Sequence, residues 1–164
     1  MRDLLAGIVA LVLLVAAASL GTTLQFYRRR RRRTRERERA HGRTVVAELP
    51  AGDDLVLFSE DESTFHYGER SITKDGVMAV RVLINGSPIA AATSNRHASA
   101  TAPHPTSFED RPEGIARDRW DVALETTTGT TLVECGAIRE RVSQELARAV
   151  FDAVAGDIER RNRA

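Results

Sequence analysis

The stretch that decides the fold runs from Val77 to Thr93, VMAVRVLINGSPIAAAT. Val77–Ile84 is the most apolar strand pattern in the chain, and its alternation sets Met78, Val80, Val82 and Ile84 on one face. Asn85-Gly86 follows at once. That pair supplies positive φ at both central positions of a type I′ turn, whose twist matches two antiparallel strands. Ser87–Thr93 then returns as the partner strand. Pro88 has no N–H for a ladder, so it confines this strand to a sheet edge or sits at the strand's beginning.

The same reading extends outward. Upstream, Thr44–Leu49 (TVVAEL) is a strand stopped by Pro50-Ala51-Gly52-Asp53, Leu55–Ser59 (LVLFS) is a second, and Thr64–Tyr67 (TFHY) a third. The acidic turn Glu60-Asp61-Glu62 separates the last two, and Asp75-Gly76 is a further turn. Downstream, Trp120, Val122 and Leu124 share one face of DRWDVALETT, Thr128-Gly129 turns the chain, and Thr131–Cys135 brings it back. Residues 94–117 break the pattern: they are rich in Ser, Ala, Pro and His, with Phe108 and Ile115 as the only larger apolar side chains, a composition expected of a flexible loop. A short linker joining Thr93 to Asp118 is expected to replace it, on the assumption that the two ends lie close.

After Gly136 the period becomes 3.6. Ile138, Val142, Leu146, Val150, Val154 and Ile158 recur as a stripe, which Ala149 and Ala153 widen. Such a stripe has to lie on something, and the open face of the sheet is the expected partner, with Val80, Val82, Trp120, Leu124 and Leu132 beneath it. The folded part is thus a small mostly-β (α+β) domain, residues 44–164, of about seven short antiparallel strands and a C-terminal amphipathic helix. In element order it is similar to a pleckstrin-homology-type barrel, in which a terminal helix plugs a bent sheet.

Ahead of that domain the chain has a different character. Leu4–Leu24 holds 21 residues without a charge. At ~1.5 Å per residue this is about 31 Å of helix, the thickness of a hydrocarbon core. Phe26 and Tyr27 follow, where amphipathic rings favour the headgroup layer. Residues 1–27 therefore read as a transmembrane anchor. A cleaved signal peptide fits less well, because Asp3 cancels Arg2 in the leading segment and the arginines that follow would resist translocation.

Those arginines form a juxtamembrane segment, residues 28–43. Arg28, Arg29, Arg30, Arg31, Arg32 and Arg33 are consecutive, and Arg35, Arg37, Arg39 and Arg43 lie behind them. By the positive-inside rule they place the C-terminal domain in the cytoplasm and the N-terminus outside, in a single-pass protein of the cell membrane. The same charges attract anionic lipid headgroups, at ~1 kcal/mol for each basic residue near the surface. Arg32 and Glu36 are spaced i,i+4, so a helix is expected to continue towards Gly42.

Charge also excludes a partner. Residues 1–43 hold eleven Arg against three acids, a local charge of +8, while residues 44–164 carry −7. Nucleic-acid binding would need aromatic or base-reading side chains among the arginines, and Arg28–Arg43 contains no aromatic residue. The acidic domain would repel phosphates besides.

The chain offers little that announces chemistry. Its single cysteine, Cys135, excludes a disulfide framework and a cysteine-based zinc or iron–sulfur site, and at the end of an apolar strand it reads as a small buried filler. His41, His66, His97 and His104 form no HxxxH or HExxH pair. His66 is expected to be a solvent-facing or hydrogen-bonded strand histidine. The acids 60–62 lack the spacing that wraps calcium. Ser, His and Asp all occur, but no G-x-S-x-G elbow presents a nucleophile. No cofactor, metal site or catalytic residue is expected. The resulting expectation is a membrane-anchored, non-enzymatic binding or scaffold protein whose cytoplasmic domain meets a protein or lipid headgroups. An assembly subunit of a larger membrane complex is the alternative within that class, and an enzyme with a site near the 94–117 loop is the alternative outside it.

Overall fold

The computed structural model describes residues 32–51, 54–95 and 118–163. The Leu4–Leu24 stretch, Arg28, Arg29, Arg30 and Arg31, and all of 94–117 except Ser94 and Asn95 lie outside the described residues. The chain divides into two compact units, Met1–Gly42 and Arg43–Ala164.

In the first unit the described part is helix α1, residues 32–40. It ends where Gly42 turns to φ +74, a conformation that costs glycine nothing, and donates to the Arg39 carbonyl at 3.0 Å. Among the described residues no helix is long and apolar enough to cross a membrane.

The second unit is a small mostly-β α+β domain with two antiparallel sheets and a C-terminal helix. Its strands are β1 (Thr44–Ala51), β2 (Asp54–Glu60), β3 (Thr64–Tyr67), β4 (Arg70–Thr73), β5 (Val77–Ile84), β6 (Ser87–Thr93), β7 (Arg119–Thr126) and β8 (Gly129–Ala137). The first sheet has the order β1-β2-β3-β4 and the second β6-β5-β7-β8. Eight strands are described where about seven were expected. The addition is β4, which carries one buried apolar residue, Ile72, and so has almost no hydrophobic pattern. The Gly68-Glu69 turn makes it: Gly68 stands at φ +59, and Tyr67 pairs with Arg70 across two residues, as in a type II′ hairpin.

The β5–β6 hairpin is as expected, with Asn85 at φ +52 and Gly86 at φ +77. The inward face of β5 differs at one position. A bulge between Val77 and Ala79 swings Met78 out of phase, so Val77 joins Val80 and Val82 in the core. On β1, Pro50 does not stop the strand. It pairs with Leu55 and the strand runs to Ala51, because β1 is the outer strand of its sheet and needs no N–H there. On β8 the core residues are Val133 and Cys135 rather than Leu132, since Leu132 stands opposite Ala123, on the other face from Val122 and Leu124.

Helix α2, Arg141–Arg163, closes the core. Ala147, Val150, Val154, Ala155 and Ile158 share one core with Leu49, Phe58, Phe65 and Ile72 of the first sheet and Val80, Trp120, Val122 and Leu124 of the second. The buried seam begins at Ser143 and runs through Ala147, Val150 and Val154 to Ile158. It is rotated from the sequence-derived stripe: Val142 is 62% exposed, Leu146 and Ile138 are half-buried at the margin, and Ala147 and Ala155 lie beneath the helix in place of Ala149 and Ala153. Gly136 explains the offset. It stands at φ +110, and a Cβ there would meet Ser143 Oγ at 2.5 Å, so the helix starts hard against the end of β8 with its small Ser143 inward.

Two further contacts lock α2 down. Asp157 and Arg161, both nearly buried, pair at 2.9 Å, and Arg161 Nη2 donates to the Val77 carbonyl at 3.4 Å. Asn162 receives the Asn95 N–H at 2.8 Å and donates to the Thr93 carbonyl at 3.1 Å, which pins the end of β6.

The two ends of the 94–117 connection are not close. β6 and β7 both run antiparallel to β5, on opposite sides of it, so they are parallel to each other and joined by a crossover. Thr93 pairs with Ala79 and Trp120 with Ile84, near the two ends of β5. Asp118 is therefore about 25 Å from Thr93 at ~3.4 Å rise per residue. Replacing 94–117 by four glycines should abolish cooperative unfolding, whereas a twelve-residue Gly/Ser linker should restore it, as read by thermal denaturation. On α2, Ile158→Ala should cost about 2–5 kcal/mol and Val142→Ala less than about 0.5 kcal/mol in chemical denaturation. Equal costs would place the buried seam elsewhere.

Candidate functional site

The densest polar chemistry in the folded unit lies on the β2–β3–β4 corner. Strand alternation makes the corner two-sided. Phe58, Phe65 and Ile72 point into the core, with the two rings 5.8 Å apart, while Ser59, His66 and Ser71 share the opposite face. His66 pairs with Ser59 on one side and Ser71 on the other.

Asp61 organises the turn before β3. Its Oδ1 accepts the backbone N–H groups of Ser63 at 2.9 Å and Thr64 at 2.8 Å, and its own N–H donates to the Thr64 carbonyl at 2.9 Å. Its Oδ2 lies 2.8 Å from His66 Nε2. These hydrogen bonds, that to His66 first, hold the carboxyl down at about 2, so near neutrality it is an ionised acceptor. An acceptor at that distance requires a proton on Nε2. In neutral His66 the bare nitrogen is then Nδ1, and Ser71 Oγ stands 3.3 Å from it. His66 itself is only 8% exposed, whereas Ser71 is exposed.

On the inward side of the same corner, Lys74 Nζ is 2.8 Å from Glu60 Oε2 and 4.9 Å above the Phe65 ring. Lys74 is the only lysine in a chain of 23 arginines. A compact ammonium fits between a carboxylate and a ring where a planar guanidinium would need more room.

A second polar group lies on the outer face of the other sheet. Arg119 Nε is 2.7 Å from Asp121 Oδ1, out of line for a hydrogen bond, and Arg119 Nη1 is 3.0 Å from Glu134 Oε2. Asp121 is 1% exposed, and burial raises its pKa against the pull of Arg119. Cys135 is fully buried, its thiol pushed up to about 12 by burial and then by Asp121, which makes it an inert filler at neutral pH.

Of the arginines singled out in the sequence, Arg32 and Arg33 are exposed on α1, and Arg28, Arg29, Arg30 and Arg31 lie outside the described residues. His97 and His104 lie outside them too, and His41 is an exposed residue whose Nδ1 is 2.7 Å from the Arg37 carbonyl. Among the described residues no group of three or more His, Cys, Asp or Glu is placed to hold a metal ion. The association of Asp61, His66 and Ser71 was not visible in the sequence, because Ser71 belongs to the strand that leaves no hydrophobic pattern. No protein-family model matches the chain, and neither a curated protein nor a solved structure is detectably similar to it.

The depressed Asp61 carboxyl has a consequence in acid. Its folded value lies below the ordinary 3.8, so the unfolded chain binds the proton first, and the stability it contributes is present above about pH 4 and lost as the pH falls towards 2. Asp61→Asn should therefore be less stable than the parent chain at pH 6, and the difference should narrow as the pH falls from 4 to 2. The measurement is urea denaturation across that range, and a difference that widens in acid would exclude this role.

Proposed function

We propose that the chain is a single-pass membrane protein, non-enzymatic in its main role, that presents its β-rich unit as a binding or scaffold module on the cytoplasmic side. The observation that carries this reading is the division at Gly42/Arg43. The unit before it contains the uncharged Leu4–Leu24 stretch and nearly all of the arginine run, and carries +7. The unit after it carries −6. Opposite charges on the two units favour different surroundings. Arg28–Arg33 suit anionic lipid headgroups and set the topology, with the N-terminus outside. The acidic unit is repelled by the same headgroups, which leaves protein contact as its better-supported role. A four-strand meander, a second antiparallel sheet and a closing helix favour a pleckstrin-homology-like barrel as the finer description, and the crossover between β6 and β7 is the feature such a comparison has to accommodate.

Protease protection tests the arrangement. In inside-out vesicles from cells expressing the full chain, protease should remove the 43–164 unit, and in right-side-out vesicles it should not. Neutralising Arg28–Arg33 to Gln should give a mixed population. A photoreactive residue at exposed Ile89 or Val142 should yield discrete protein adducts, and one at Arg33 should yield lipid adducts. Release of the chain by alkaline carbonate, or lipid adducts at all three positions, would overturn the reading.

A further inference from the structure

The β3–β4 hairpin holds a constellation that the binding role does not use. We propose that Ser71 is a base-activated nucleophile, an acyl-accepting site in which His66 takes the proton and Asp61 orients the imidazole. This inference is independent of the membrane reading.

The geometry follows from the ladder. Lys74 N–H donates to the Ser63 carbonyl at 2.8 Å, which makes 63/74 a bonded position. Bonded and non-bonded pairs alternate in an antiparallel ladder, so Phe65/Ile72 is bonded and His66/Ser71 is not. Side chains of a non-bonded pair approach more closely, and this brings Ser71 Oγ to 3.3 Å from His66 Nδ1. Backbone groups of a non-bonded residue point away from the partner strand. β4 is the last strand of its sheet, so the Ser71 N–H faces the free edge, where it can donate to an oxyanion developing on a group bound to its own Oγ.

The imidazole is held from behind. Asp61 is fixed by two backbone donors, its carboxylate accepts the Nε2 proton, and this tautomer leaves Nδ1 free to act as base. Nucleophile, base and orienting acid thus stand in hydrogen-bonding succession, the arrangement that activates a serine. Asp61 acts through His66 and is a positioning residue.

The substrate class is a small acyl ester able to reach an open strand edge. Ser71 Oγ forms a bond to the acyl carbon as its proton passes to His66 Nδ1. The ester C–O bond breaks, and the leaving alkoxide takes that proton. Water, deprotonated by the same nitrogen, then hydrolyses the acyl-serine, releases the acid and restores Ser71.

The test uses the full chain in detergent micelles, with a fluorophosphonate as covalent probe and p-nitrophenyl acetate as ester. The expected adduct maps to Ser71 by peptide mass and is absent in Ser71→Ala, a change at an exposed side chain. His66→Gln should slow labelling about 100-fold or more. Asp61→Asn should slow it, and Asp61→Glu should recover part of the rate. Ser87→Ala, at an exposed hydroxyl on β6, should leave it unchanged. In the unsubstituted chain Ser71 should label faster than the exposed Ser87, a readout that needs no variant to fold. Labelling of Ser71 no faster than Ser87, or a rate unchanged in His66→Gln, would overturn the proposal.

Discussion

The inward faces of both sheets and the buried seam of α2 form a single apolar core. The helix lies against β1 of the first sheet and β5, β7 and β8 of the second, so undocking it would uncover the core there along with the Val150–Ile158 seam itself. Apolar areas of that size are rarely left open in a soluble domain. The helix is therefore part of the core and not a detachable arm. Its hold is reinforced at both ends, by Ser143 against Gly136 and by Arg161 and Asn162 against β5 and β6. Removing the helix would expose both sheets at once, so the two should lose their structure together.

Most of this was legible in the sequence because it rests on periodicity. The Asn85-Gly86 turn, the alternation of Trp120, Val122 and Leu124, and the 3.6-residue recurrence after Gly136 each have a single reading. The misplacements have a common cause, which is that periodicity counts residues and bulges insert one. One bulge moved Met78 off the inward face of β5, and another displaced the pairing of β8 against Trp120 and Asp121. The helix stripe was misjudged by part of a turn for a related reason. Its start is fixed by how closely Ser143 approaches Gly136, a tertiary contact with no periodic signature. The assumption that Thr93 and Asp118 are neighbours failed because strand order is not local information.

The polar sites were the least legible. Asp121 stands between Trp120 and Val122 on β7 and is nonetheless almost fully buried. It pairs with Arg119, two residues back on the same strand, and Arg119 in turn pairs with Glu134 of β8, a cross-strand arrangement that spacing does not announce. His66 reads correctly as a hydrogen-bonded strand histidine, but its partners are five residues away on each side, one in a turn and one on β4. No spacing rule for catalytic or metal-binding residues covers that arrangement, which arises only when a hairpin folds back at Gly68.

Register connects the core to that chemistry. A one-residue slip of β3 against β4 would turn Phe65 outward and carry His66 into the apolar interior, away from Asp61. The burial of Phe65 opposite Ile72 opposes that slip, and so do the two-residue turn at Gly68-Glu69 and the Lys74–Glu60 pair at the open end of the hairpin. Each of these features is on the core side or at an end of the hairpin. The distance between Ser71 and His66 is thus inherited from packing on the opposite face of the sheet. Substitutions that loosen Phe65 or Ile72 should disturb the His66 hydrogen bonds before they disturb the fold, because a small shift in register breaks a 3.3 Å contact long before it uncovers a buried ring.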